Sequence, residues 1–164
     1  MTELTAERAR DLLSYNPDTG VITWIAPTIG RRKQGAVANC KHIAGYLQTG
    51  IDGGIYLNHR LAWLMFYGCW PSKHIDHING IRDDNRIANL RDVSHKTNRE
   101  NAIKSNKNNK LGLLGVFFHK KTQKFVSSIT VSGKTTYIGL FLTKEDAHSA
   151  YITAKRKLHQ GCTI

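Results

Sequence analysis

The spacing of apolar residues changes along this chain, and the changes mark its parts. Residues 5–14, Thr-Ala-Glu-Arg-Ala-Arg-Asp-Leu-Leu-Ser, read as a short helix with Thr5 as N-cap. Asn16-Pro17-Asp18-Thr19-Gly20 is a strong turn, and the β-branched, aromatic run Val21-Ile22-Thr23-Trp24-Ile25 predicts a strand after it. Residues 28–42 set Arg31, Arg32, Lys33, Lys41 and His42 among glycines, the pattern of an exposed basic loop. Tyr46 to Ile51 and Ile55 to Leu57 flank Gly53-Gly54 and predict a hairpin. Asn58 then stands where it would cap a helix over His59 to Tyr67, closed by Gly68, with Leu61, Ala62, Leu64, Met65 and Phe66 as its core side.

Residues 71–93 are irregular and polar, and Ser94 is placed to cap a short helix over His95 to Ala102. Lys104-Ser105-Asn106-Lys107-Asn108-Asn109-Lys110 is basic and without periodicity, so a domain break is expected there. Gly115 to Phe118, Lys124 to Val131 and Lys134 to Phe141 predict three strands, with Ser132-Gly133 as the second turn. Thr143-Lys144-Glu145-Asp146 is a capping box in type, with Asp in place of Glu. Ala147, Ala150, Tyr151, Ala154 and Leu158 recur at helical spacing after it. Lys155, Arg156, Lys157 and His159 crowd the last turns, where the helix dipole favours cations, and Gly161 ends the helix.

Charge narrows the picture. The 164 residues carry a formal net charge of +12, which favours a polyanionic partner, nucleic acid or an anionic membrane. No apolar run reaches the roughly 18 residues of a spanning helix, and Met1-Thr2-Glu3-Leu4-Thr5 does not read as a signal peptide. Cys40, Cys69 and Cys162 form no CxxC pair, which argues against a zinc knuckle. Their odd number suggests reduced thiols in a cytoplasm.

The chemistry concentrates in Lys73-His74-Ile75-Asp76-His77-Ile78-Asn79-Gly80, with Asn85, Asn89-Leu90 and Asn98 behind it. Phosphodiester hydrolysis needs an activated water and a cation to offset charge on phosphoryl and leaving oxygens. A histidine with a near-neutral pKa suits the water, and a carboxylate with a carboxamide suits a hard ion such as Mg²⁺. Asp76 and His77 would leave opposite faces of an extended segment, so a bend or a following helix must bring partners round. Asn98 and Asn101 share one face of the helix expected there. His74 and His95 read as solvated or DNA-facing residues and His59 as a hydrogen-bonded residue at a helix start.

Asp76-His77, Asn89 twelve residues after the histidine and Asn98 nine beyond that resemble the HNH endonuclease motif. The form is similar to the His–Asn–Asn variant of phage and intron-encoded homing enzymes. His59-Arg60-Leu61-Ala62-Trp63 and Asn85-Arg86…Asn89-Leu90-Arg91 resemble the same subgroup. The resemblance implies a ββα-metal unit: two strands joined by a long loop, then a helix, with one divalent ion between. It implies His77 as general base, Asp76 and Asn98 as metal ligands, and Asn89 as the residue that holds the loop and His77 in place. Tyr15-Asn16-Pro17-Asp18-Thr19-Gly20-Val21-Ile22-Thr23-Trp24 is similar to a lead-in found before the motif in such phage proteins.

Gly115-Val116-Phe117-Phe118-His119-Lys120-Lys121, Val131-Ser132-Gly133-Lys134, Ile138-Gly139-Leu140-Phe141 and Thr143…Asp146-Ala147…Ala150-Tyr151 resemble an AP2 DNA-binding domain. That family reads bases with arginines and tryptophans. Here Leu114 stands before Gly-Val, Phe118 and Phe125 replace tryptophans, and Val126 and Ser128 replace arginines. Bidentate guanine readout is therefore mostly missing, and Lys120, Lys121, Lys124 and Lys134 are left to position the sheet on phosphate.

The expectation is an α+β protein in four parts: an N-terminal β-rich DNA-contacting region (1–57), the HNH ββα-metal unit (58–103), a basic linker (104–111) and an AP2-like three-stranded antiparallel sheet with one helix (112–164). The expected activity is hydrolysis of DNA by a homing-type phage or prophage enzyme with one Mg²⁺ or Mn²⁺ per site. Double-stranded DNA is the partner, without membrane or small-molecule cofactor, in the cytoplasm of a bacterial host; the sequence leaves the oligomeric state open and favours a monomer. Arg31, Arg32, Lys33, Lys104, Lys107 and Lys110 join the sheet lysines as backbone contacts. Because Asp76, His77, Asn89 and Asn98 all precede the linker, the chemistry is expected to be separable from residues 111–164. The alternatives are an AP2-type regulator with a vestigial nuclease unit and a protein directed to RNA, since phosphate contacts alone do not distinguish RNA from DNA.

Overall fold

The computed structural model describes residues 3–26, 33–103, 105–106 and 108–163. Arg31, Arg32, Lys104 and Lys107, named above as DNA contacts, lie outside the described residues. The chain forms two compact units, Met1–Ser94 and His95–Ile164. The division falls ahead of the basic segment where the sequence places it, and it assigns the helix after Ser94 to the second unit.

The first unit begins with α1 (Ala6–Leu12), whose N-cap Thr5 accepts from the Arg8 N–H at 3.2 Å. The chain then turns extended. β1 (Leu13–Tyr15) pairs antiparallel with β2 (Ile22–Trp24) across the Asn16–Gly20 turn, so the helix ends sooner than its pattern suggests. β3 (Cys40–Lys41), β4 (Leu47–Ile51) and β5 (Gly54–Leu57) form a second antiparallel sheet in that order. The β4–β5 turn is Asp52-Gly53, both at positive φ, one residue earlier than the Gly53-Gly54 of the sequence reading.

Helix α2 (Asn58–Tyr67) follows and ends at Gly68, whose N–H donates to Leu64. Asn58 does not cap it. The side chain is buried, accepting from Thr49 Oγ1 at 2.7 Å and donating to the Ala38 carbonyl at 2.5 Å. Both hydrogen bonds are buried, where an unpaired carboxamide is costly, so they outweigh the local capping preference. Leu61, Leu64 and Met65 enter one core with Leu4, Leu13, Ile22, Trp24 and Ile51. This shared core leaves no boundary at residue 57. Ala62 enters a smaller cluster with Ile75 and Leu90. Phe66, expected inside, is exposed. Leu61 has no exposure, and truncating it to alanine is expected to cost about 2–5 kcal/mol.

Within the polar 71–93 stretch lie β6 (His74–His77), a 3₁₀ turn (Ile87–Asn89) and β7 (Leu90–Val93), with β6 and β7 antiparallel. These strands are short and, among the described residues, pair only with each other, so their pattern is weak in the sequence.

The second unit opens with α3 (His95–Glu100). β8 (Val116–His119), β9 (Lys124–Val131) and β10 (Lys134–Phe141) form an antiparallel sheet with β9 central. α4 (Lys144–Leu158) packs on it through Ala147 and Tyr151. Thr143 Oγ1 accepts from the Asp146 N–H at 3.1 Å and donates to the Asp146 carboxylate at 2.7 Å, one half of a capping box closed on itself. Leu158 is exposed and Lys155 is buried, reversing the expected face at the helix end. Lys155 Nζ donates to the carbonyl of Ala102, so this cation serves the segment after α3 and not the helix dipole. Gly161 lies beyond the helix, whose C-cap is His159. A Cβ on Gly161 would come within 2.2 Å of the Thr97 carbonyl oxygen, so the close approach to α3 requires glycine. α3 is held further by Glu100, which accepts from Gly161 N at 3.2 Å, and by Asn101, whose Oδ1 accepts from Thr163 Oγ1. Lys96 donates to Ser132 Oγ at 3.2 Å.

Candidate active site

β6 ends at His77. Its register sets Asp76 opposite Arg91 and His77 opposite Leu90 on β7. Successive side chains of a strand leave opposite faces, and the two residues accordingly meet different partners. Asp76 is buried and accepts from Arg91 Nε at 2.9 Å, with the second guanidinium nitrogen at 2.7 Å.

His77 is 4% exposed. Its ring meets His59 edge-on at 5.1 Å between centroids and Tyr46 at 5.9 Å. Its Nε2 lies 3.2 Å from Asn85 Oδ1. Burial pushes the His77 pKa below the ordinary histidine value, while the Asn85 contact and the carboxylates of Asp76, Asp84 and Asp83 pull the other way. Burial thus favours the neutral form of the ring, the form that accepts a proton.

His59 was expected to be hydrogen-bonded at the helix start. It is instead a packing partner of His77: its Nδ1 is buried with no hydrogen-bond partner. Burial, then the neighbouring His77 and Arg60, lower its pKa to about 3. Tyr46 also carries the Arg82 guanidinium at 5.1 Å from its ring centre, and Arg82 donates to the Ala44 carbonyl at 2.6 Å.

The loop between β6 and β7 is tied internally. Asn89 Oδ1 accepts from the Asn79 N–H at 2.9 Å, and its Nδ2 donates to the Asp84 carbonyl at 2.8 Å. One carboxamide thus bridges the two arms of the loop beyond His77. The Asp84 carboxylate pairs with Arg86 at 2.5 Å and accepts from Asn79 Nδ2 at 2.6 Å, and the Arg86 contact is the main reason its pKa falls to about 2.

The loop is also tied to the β1–β2 turn. Tyr15 Oη donates to the Asn85 carbonyl at 2.8 Å, and the Ile87 N–H donates to the Pro17 carbonyl at 3.0 Å. Tyr46 and the packing role of His59 were missed by sequence reasoning, whereas Asn85 was singled out among the carboxamides behind His77 but given no role. The signals for Asn85 were its place among those carboxamides and in the motif-like Asn85-Arg86 run.

The remaining candidates sit apart from His77 in the sequence. Asn98 is half-buried on α3 in the second unit. Lys33, Lys110, Lys120, Lys121 and Lys134 are exposed, and Lys124 is half-buried. Phe118 and Phe125 face each other across β8 and β9 at 5.2 Å. Among the described residues no group of three or more His, Cys, Asp or Glu side chains is gathered as for a metal ion.

Comparison with curated proteins and comparison with solved structures each found no match. A family model described as HNH endonuclease matches residues 56–100, a span from β5 through α2, β6, the bridged loop and β7 to α3. The match supports a nuclease function for this part of the chain.

Proposed function

We propose that the protein is a metal-dependent endonuclease of homing type that hydrolyses phosphodiester bonds in double-stranded DNA, encoded by a phage or prophage and acting in a bacterial cytoplasm. The observation that carries the reading is His77: a buried imidazole at the end of β6, inside the HNH match and next to a carboxylate. His77 takes a proton from water, the water oxygen bonds to phosphorus, and the bond from phosphorus to the leaving oxygen breaks. Asn89 keeps the loop beyond His77 closed through its two hydrogen bonds.

Asp76 and Asn98 would hold one Mg²⁺ or Mn²⁺. Carboxylate, carboxamide and water oxygens are a donor set that suits a hard ion. When bound, the ion offsets charge on the phosphoryl and leaving oxygens. Asn98 is preferred over Asn101 because the Asn101 carboxamide oxygen already accepts from Thr163. The exposed lysines of the β8–β10 sheet, in an AP2-like module, would supply a second grip on phosphate, with Lys33 and Lys110 adding to it.

The test is relaxation of supercoiled plasmid by wild-type and His77→Ala protein, in Mg²⁺ and in EDTA. Wild type should cut only with the metal, and the variant should lose about 10²–10⁴-fold in rate with DNA affinity kept. Full activity of pure His77→Ala protein would overturn the reading. DNA binding without cleavage by wild type would favour a regulator with a vestigial nuclease unit.

A further inference from the structure

Asn85 touches His77, and its surroundings fix where it can point. Its backbone is seated on the β1–β2 turn by the Tyr15 hydroxyl, by the Ile87–Pro17 hydrogen bond and by Gly20. A Cβ on Gly20 would lie 2.6 Å from the Asn85 carbonyl carbon. The residue is 1% exposed, so solvent does not compete for its carboxamide. Oδ1 stands 3.2 Å from Nε2 of His77, while Nδ2 is buried without a hydrogen-bond partner.

A carboxamide oxygen can only accept, so this approach is favourable only when Nε2 carries the hydrogen. A neutral imidazole protonated at Nε2 has its lone pair at Nδ1. Turning the amide over would aim Nδ2 at the ring and demand the opposite tautomer. That arrangement fails once the ring becomes imidazolium, because two donors would then face each other. With Oδ1 toward the ring, the hydrogen bond survives proton uptake and strengthens as charge develops. His59 and Tyr46 pack against the ring and hinder its rotation.

We infer that Asn85 is a positioning residue that holds His77 as the Nε2–H tautomer, so that Nδ1 is the atom that accepts the proton from water. The inference rests on the reading of His77 as general base. Its structural half, the tautomer, stands or falls separately.

The experiment uses the full chain labelled with ¹⁵N-histidine. Two-bond proton–nitrogen correlation spectra above pH about 8, well beyond the ordinary histidine pKa, distinguish the two neutral tautomers. The His77 signals are assigned by their absence in His77→Ala protein. Wild type should show Nε2–H, and Asn85→Asp, which keeps an acceptor, should do the same. Asn85→Leu should populate both tautomers. It should also slow single-turnover plasmid cleavage in Mg²⁺ by about 10²-fold at unchanged DNA affinity, with Asn85→Asp recovering most of the rate. Nδ1–H in wild type would overturn the inference, and so would an unaltered tautomer in folded Asn85→Leu. If the leucine variant does not fold, the wild-type spectrum decides alone. A fully active His77→Ala protein would sink the general-base reading and leave the tautomer result intact.

Discussion

Replacing Gly20 by alanine tests how far the chemistry depends on the hairpin that precedes it. Gly20 has φ +74°, and its Cβ would lie 2.5 Å from the Arg86 nitrogen and 2.6 Å from the Asn85 carbonyl carbon. The left-handed conformation alone costs an L-residue about 1–2 kcal/mol. The clash is with backbone, so a side-chain rotation cannot relieve it. The 85–86 segment must retreat by about an ångström to reach ordinary contact, and overpacking of this kind costs about 1–3 kcal/mol. The expected loss of stability is therefore about 2–5 kcal/mol. The same shift displaces Asn85 relative to His77, and a misplacement of about 1 Å in a positioned group costs about 10²-fold in rate. Trp24, Trp63 and Trp70 are the only tryptophans and all precede Ser94. Urea unfolding followed by tryptophan fluorescence thus reads the first unit. Gly20→Ala should show a lower urea midpoint and about 10²-fold slower single-turnover cleavage, with DNA affinity kept. A wild-type midpoint would refute the steric reasoning. A lowered midpoint with a wild-type rate would show that the turn stabilises the fold without holding His77.

Acid should destabilise the first unit through His59: the unfolded chain takes a proton near pH 6.5 and the folded ring only near 3. Stability is then complete above about pH 6.5 and falls as pH drops toward about 3, by up to about 1.4 kcal/mol per unit, with His77 adding in the same direction. Urea midpoints between about pH 5 and pH 7.5 should slope less in His59→Phe than in wild type, and equal slopes would count against it. Arg91→Leu removes the guanidinium 2.7 Å from the Asp76 carboxylate. Without metal it should cost toward the low end of about 3–5 kcal/mol, since Arg91 is partly exposed, and Mg²⁺ should restore part of the loss. A variant indifferent to Mg²⁺ would argue against Asp76 as a ligand. Lys120→Gln with Lys121→Gln should weaken DNA binding alike across sequences. It should also flatten the slope of log affinity against log salt by about 0.9 for each phosphate no longer neutralised, and an unchanged slope would remove the sheet from the interface.

What was legible in the sequence was local. The Ser132-Gly133 turn, the Thr143 cap and the Thr5 cap are set by neighbours within three residues, and the chain shows each where its residues place it. The elements that escaped the pattern depend on distant partners. β3 is two residues long and exists only by pairing with β4. Asn58 and Lys155 are buried because Ala38 and Ala102, remote in sequence, accept their hydrogens. At the site, Asp76, His77 and Asn89 stood out by order and spacing. Asn85 stood among the same carboxamides, but its role was not legible, because a loop asparagine that orients an imidazole has the same composition as one that makes a turn. Its distinguishing contacts come from Tyr15 and Gly20, some 70 residues away in one case.

A cut anywhere between residues 103 and 111 would sever α3 from the groups that hold it. Buried Lys155, close-packed Gly161 and the Thr163 hydroxyl all lie beyond such a cut, and all engage α3 or the residues just after it. Six residues are too few to persist as a helix in water without such support. A chimaera that grafts residues 1–111 onto a foreign DNA-binding module would therefore carry Asn98 as unstructured chain, and Glu100 and Asn101 would meet solvent. The portable piece is longer than the family match. It must include a cradle for α3, supplied here by the last turn of α4 and the segment after it.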